Sequence, residues 1–334
     1  MKAIKYTTYG SPDVLQLVEL EKPVPADNEI LIQVHATHVN FGDITARKFN
    51  QLAADEFHMP SPLLLVSKFV FGFTKPKVNI LGSEFSGKVE SVGSKVAKFK
   101  VGDDVFGYRG PAMGANAEYL AVAEDSMVTL KPSNMRHEEA STIPYGALTA
   151  LTLLRKLNIQ PGQKVLINGA SGAIGSHALQ LAKYYGAEVT GVCSTVRVEF
   201  VKALGADHVI DYTKEDFTGN GEKYDVIFDV LGKTDFSRSK ASLTENGIHF
   251  YASFKMKQLF QMFWTSITGS NKKVVCALSN ENIDDLVFIR ERIEAGDIKT
   301  VIDRHYPLEE TAEAHRYLES GNKRGNVVIM IHQN

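Results

Sequence analysis

Lys164-Val165-Leu166-Ile167-Asn168-Gly169-Ala170-Ser171-Gly172-Ala173-Ile174-Gly175-Ser176-His177 is the stretch that decides the fold. Val165, Leu166 and Ile167 form an apolar run without alternation, the pattern of a parallel strand covered on both faces. Gly169 to Gly175 is a turn of glycine and small residues, after which Ile174, Ala178, Leu181 and Ala182 recur at helical spacing. Strand, small-residue turn and helix together are the setting of a dinucleotide-binding fingerprint. Ala170 stands where that fingerprint has its first glycine. Gly172 lets the main chain approach a pyrophosphate, and Gly175 lets the new helix lie close to the strand. Amides in the first helical turn lack helical acceptors and point towards an anion, helped by the helix dipole.

Glu188 to Ser194 reads as the next parallel strand. An NAD-binding fold carries Asp or Glu at its end, about 20 residues after the glycines, to hold the ribose 2′-hydroxyl. This chain has Ser194 there, followed by Thr195 and Arg197. A carboxylate repels a 2′-phosphate, whereas a hydroxyl and a guanidinium bind one through charge-assisted hydrogen bonds. The cofactor is therefore read as NADP(H), with Ser194 and Arg197 at the phosphate.

At 334 residues the chain is expected to form two domains. A formal net charge of −2 gives no footprint for nucleic acid or an anionic membrane. Two cysteines, Cys193 and Cys276, exclude a disulfide framework and point to a reducing, cytoplasmic setting. The opening Met1–Tyr6 reads as a strand rather than a signal peptide. Pro60 to Phe73 is strongly apolar but too short to span a bilayer.

Residues 1–123 are strand-rich with frequent turn signals, which suggests a β-barrel-like domain. From 124 to about 299 helices and strands alternate as in a doubly wound parallel sheet, and residues 300–334 complete the first domain. The expected helices include 138–157, interrupted at Pro144 and Gly146, then 198–204, 236–243, 281–294 and 308–319. His35 and His38 lie three apart on a strand and point to opposite faces, so they do not share a metal.

Several landmarks then coincide: Tyr9-Gly10, Val39-Asn40-Phe41-Gly42-Asp43, Gly82-Ser83-Glu84-Phe85-Ser86-Gly87 and Val101-Gly102-Asp103-Asp104-Val105. Further on come Gly114-Ala115-Asn116-Ala117-Glu118-Tyr119, Gly146-Ala147-Leu148-Thr149-Ala150, Leu204-Gly205-Ala206-Asp207 and Arg324-Gly325-Asn326. In this order they resemble the medium-chain dehydrogenase/reductase superfamily, specifically its zinc-free quinone oxidoreductase (zeta-crystallin) branch. The resemblance implies an α/β protein: a Rossmann domain plus a GroES-like β-barrel catalytic domain. Zinc-dependent relatives hold their metal through a cysteine and a histidine where this chain has Asn40 and Ser83, neither a normal zinc ligand.

By resemblance, Asn40 lies beside nicotinamide and substrate. Asp43 and Arg47 lie one turn apart, a spacing at which they could pair, and Thr45 stands where many relatives carry a tyrosine, leaving water or the cofactor ribose as proton source. Pro144 and Thr149 serve the nicotinamide half, while Gly172, Ala173, Ile174 and Gly175 meet the pyrophosphate. Tyr212 lies near the adenosine phosphate, and Leu231, Gly232 and Ser253 follow strand ends. Lys323 and Arg324 return to the cofactor. Without a Lewis acid, a conjugated acceptor is easier to reduce than a simple aldehyde, since its negative charge is delocalised. The expected activity is NADPH-dependent reduction of quinones or α,β-unsaturated carbonyls. A metal-free alcohol dehydrogenase or carbonyl reductase, and a non-catalytic NADPH-binding protein, are the alternatives. The expected partner is an apolar small molecule, with no nucleic acid and no membrane span. A homodimer is expected through the edge strand near Lys273–Leu278. The apolar insert 49–77 and the aromatic segment 256–268 fit either a substrate mouth, a subunit contact or the core.

Overall fold

The computed structural model describes residues 1–52 and 59–332. The part of the 49–77 insert between 53 and 58 lies outside the described residues. The chain divides into two compact units. One comprises Met1–Leu52, Val66–Tyr145 and Asn282–Asn334; the other comprises Ala53–Leu65 and Gly146–Glu281. These limits differ from the 123 and 299 read from sequence. Strand Val128–Leu130 pairs with Asp104–Tyr108, and helix Ile283–Glu294 belongs to the same unit.

The first unit is built on the ten-residue strand Glu29–His38. One edge pairs along most of its length with Glu84–Val92. The other edge is shared, residues 29–33 pairing with Tyr119–Ala123 and residues 36–38 with the late strand Asn326–Met330. Alternate residues Ile30, Ile32 and Val34 point into a core with Phe85, Val105, Leu120 and Val128. The C-terminal strand is thus tied antiparallel into the N-terminal sheet.

The second unit is a six-stranded sheet with every pairing parallel. Its order is His208–Asp211, Glu188–Cys193, Lys164–Asn168, Tyr224–Asp229, Leu243–Tyr251 and Lys273–Cys276. Numbered within the unit, that is 3-2-1-4-5-6, the dinucleotide-binding order whose direction reverses beside strand Lys164–Asn168. Val165, Leu166 and Ile167 are fully buried, as a strand covered on both faces requires.

Several predicted helices shorten. The helix expected over 138–157 is two, His137–Ala140 and Pro144–Arg155, because Pro144 has no amide to continue the first and starts the second instead. The helix expected over 236–243 stops at Ser239, and its last expected residue, Leu243, already opens strand Leu243–Tyr251.

The edge strand Lys273–Cys276 is not open to a second sheet. Its outward amides on Val274 and Cys276 donate to Thr265 Oγ1 (3.1 Å) and Met262 Sδ (3.3 Å) of helix Met256–Ile267. This helix caps the edge, so the expected edge-to-edge dimer contact has no free donors there.

Candidate active site

In the second unit the candidate residues collect at the carboxyl ends of the strands. Gly169 takes the tight turn itself, with φ +91°, directly after strand Lys164–Asn168. Ala170 fits the first-glycine position because the next strand has Gly191 opposite. A Cβ on Gly191 would lie 3.1 Å from the Ala170 methyl. Gly175 has no room for a side chain, since its Cβ would meet the Gly169 carbonyl oxygen at 2.1 Å. That contact presses helix Ala173–Tyr184 onto the turn.

Gly172 is the N-cap of this helix and no side chain caps it. A Cβ on Gly172 would meet only the Gly169 oxygen, at 3.4 Å, so this face has space that a methyl group would fill. The first-turn amides of Ala173, Ile174 and Gly175 therefore form an anion site with the helix dipole behind it. A dinucleotide pyrophosphate fits this donor set.

Ser194 follows strand Glu188–Cys193 and precedes the short turn Thr195–Arg197. Arg197 Nη1 donates to Ser171 Oγ at 3.4 Å, which sets its guanidinium beside the glycine turn. Parallel register places Asp211 next to Cys193, and its carboxylate accepts from the Thr195 hydroxyl at 2.6 Å. Hydroxyl hydrogen bonds, first from Thr195 and then from Thr213, hold Asp211 down to about 2. A carboxylate thus stands near this strand end after all, reached through the neighbouring strand. Its oxygens are engaged by Thr195, Thr213 and Lys214.

Leu231 sits over the turn, its Cγ 3.3 Å from where a Gly169 Cβ would be, and Gly232 packs so closely on Ser253 that a Cβ would meet its carbonyl oxygen at 2.0 Å. Buried Asp229 organises this loop by accepting from the amides of Leu231, Gly232 and Thr234 and from Asn168 Nδ2. Sequence reading missed Asp229, though a carboxylate at a strand end just before a glycine loop is its signal. Tyr212 is exposed and its amide donates to the Cys193 carbonyl. Thr149 donates to Glu281 at 3.3 Å.

In the first unit the candidates gather on a buried polar network. Asn40 is the N-cap of helix Phe41–Arg47 in a reciprocal capping box with Asp43. Its Oδ1 accepts from the amides of Gly42 and Asp43, and its Nδ2 donates to Ser83 Oγ (2.8 Å) and Glu84 Oε2 (2.9 Å). Both amide protons and the carbonyl oxygen are therefore in use. Glu84 is fully buried and is the hub that sequence reading missed. It also accepts from Tyr145 N at 2.8 Å and lies 2.8 Å from His38 Nδ1.

Asp43 Oδ2 accepts from Asn40 N and Oδ1 from Gly82 N, both at 2.9 Å. Burial raises it to about 6; the two amides pull it down and the Glu84 charge pushes it up further. The expected Asp43–Arg47 pair is absent, because Arg47 turns instead to Glu319 at 2.7 Å. Thr45 donates back to the Phe41 carbonyl within its own helix, and Pro144 begins helix Pro144–Arg155. Lys323 and Arg324 lie just before strand Asn326–Met330, with Arg324 N donating to Asp303. These residues belong to the first unit.

A zinc ion does not fit the two positions where zinc-dependent relatives bind one. Asn40 and Ser83 are hydrogen-bonded to each other, and neither supplies a thiolate or imidazole. Among the described residues no three His, Cys, Asp or Glu side chains are grouped to hold a metal. His35 and His38 point apart, His38 towards Glu84 and His35 stacked on His137 at 4.4 Å.

Residues 26–132 match the alcohol dehydrogenase GroES-like domain and residues 204–329 match the zinc-binding dehydrogenase family. The 2-methylene-furan-3-one reductase of Solanum lycopersicum is 34% identical, the match covering 98% of this chain and 79% of that protein. An NADPH-dependent alkenal/one oxidoreductase of Arabidopsis thaliana is 33% identical, over 98% of this chain and 79% of that protein. The solved quinone oxidoreductase of Coxiella burnetii superposes with a TM-score of 0.81 at 29% identity, over 99% of each chain. Motif order, sheet order and relatives agree: the chain belongs to the medium-chain dehydrogenase/reductase superfamily, in its quinone oxidoreductase branch.

Proposed function

We propose that this chain is an NADPH-dependent, zinc-independent oxidoreductase that reduces α,β-unsaturated carbonyls or quinones. The observation that carries the reading is the uncapped turn Gly172–Gly175 with Arg197 drawn beside it by Ser171. Support comes also from the relatives named for alkenal/one and quinone reduction.

When bound, NADPH supplies the hydride. The chain's residues would bind and orient it: amides of Ala173, Ile174 and Gly175 would hold the pyrophosphate, Arg197 would offset the 2′-phosphate charge and Ser194 would hydrogen-bond it. Asp229 fixes the Leu231–Thr234 loop beside the turn. In the first unit Glu84 holds Asn40 and Tyr145, Asn40 holds Ser83 in turn, and Asp43 fixes the start of the helix that Asn40 caps. Charge spread over a conjugated oxygen needs only modest donors, so a metal is not required for the step. Thr45 is tied to a backbone carbonyl, which leaves water or the cofactor ribose as the proton source.

Two cysteines without a disulfide framework support a reducing, cytoplasmic setting, and the expected homodimer would use a surface other than the capped edge strand. Steady-state rates on an enone, a quinone and a primary alcohol test the activity. Turnover of the first two with NADPH is expected, and turnover of the alcohol alone would overturn the reading.

A further inference from the structure

Two helices carry exposed apolar faces. Helix Met256–Ile267 turns Leu259, Met262 and Thr265 inwards, onto the sheet core and its edge strand. Its outer face is apolar as well: Phe260, Phe263, Trp264 and Ile267 are 67, 61, 65 and 59% exposed. Their spacing of i, i+3, i+4 and i+7 makes one continuous stripe. Helix Ser61–Phe71 repeats the feature with Leu65, Val66, Phe69 and Val70, continued by Phe73. Eleven of the twenty-two exposed large hydrophobic side chains among the described residues lie between 59 and 73 or between 256 and 267. Scattered exposed apolar residues need no explanation, but this concentration does.

Charge separates the candidate occupants. No carboxylate occurs from Phe254 to Asn280, which carries Lys255, Lys257, Lys272 and Lys273. None occurs from Met59 to Ser83, which carries Lys68, Lys75 and Lys77. The chain as a whole has a net charge of −2, so these are local basic islands. Lys257 pairs with Asp235 from outside its segment. Facing two copies of such a surface sets lysine against lysine, whereas phosphate headgroups complement it.

We infer that helix Met256–Ile267 seats the protein on the surface of an anionic lipid bilayer, its aromatic side chains at headgroup depth and the lysines flanking it among the phosphates. It lies in the interface rather than across it, since no helix among the described residues is long and apolar enough to span. The inference concerns binding and stands apart from the reductase reading. It gives an enzyme for apolar acceptors access to the phase in which such acceptors dissolve.

Trp264 is the sole tryptophan, so its emission reports this surface directly. The full chain is titrated with vesicles of phosphatidylcholine alone and of phosphatidylcholine with phosphatidylglycerol, with sedimentation alongside. A blue shift and quenching by brominated lipid are expected with the anionic vesicles and should weaken with salt. Phe260→Gln with Phe263→Gln keeps the reporter and should weaken partitioning about tenfold or more, with unchanged circular dichroism. Emission unmoved by either vesicle would overturn the inference. So would a blue shift that follows protein concentration without lipid, which would assign this face to a second copy.

Discussion

His38 Nδ1 lies 2.8 Å from Glu84 Oε2, and the two side chains are 1% and 0% exposed. A carboxylate at that depth is tolerable only when its lone pairs are filled. Asn40 Nδ2 and Tyr145 N fill the rest. Glu84→Ala should leave three donors without an acceptor and destabilise the protein by about 3–5 kcal/mol. Glu84→Gln should cost less because it retains acceptor capacity. Urea unfolding at neutral pH reads both, and equal costs would show that the charge is immaterial.

Asp43 should make the protein less stable as pH rises. Its folded-state value of about 6 exceeds the ordinary 3.8, so the folded protein keeps a proton that the unfolded chain has released. Stability from this group therefore falls between about pH 4 and 6 and is level above, by about 3 kcal/mol in all. Asp43→Asn should remove that slope while losing one backbone hydrogen bond. Denaturant midpoints of parent and variant across this range test it.

His315 acts in the opposite direction. Burial, with the Arg47 charge adding to it, lowers the ring to about 3 from 6.5. The unfolded chain gains a proton first on acidification, so stability is complete above pH 6.5 and is lost as pH falls towards 3. His315→Leu should flatten this acid limb, shown by a smaller difference in unfolding midpoint between pH 7 and pH 5 than in the parent.

Arg197→Ala should raise the KM for NADPH about 10- to 100-fold, the worth of one charge-assisted contact, while the NADH value changes little. Adding Ser194→Asp should turn the preference towards NADH. Steady-state kinetics with both cofactors decide it, and equal parental rates with NADPH and NADH would remove the phosphate assignment.

The nucleotide turn was legible because its parts are neighbours in sequence: apolar run, small residues, helix. The network on Glu84 was not, since its partners lie 44, 46 and 61 residues away and only strand pairing brings them together. Asp211 reached Thr195 for the same reason, through parallel register with Cys193. Arg47 was misassigned because spacing along one helix favoured Asp43, while Glu319 is 272 residues distant. Local chemistry reads from the chain, and contacts between strands and distant helices do not.

Deuterium at C4 of NADPH, followed into the product of an enone, tests the central claim most directly. The account predicts label at the β-carbon of a saturated ketone. Label at the carbonyl carbon of an allylic alcohol would contradict it.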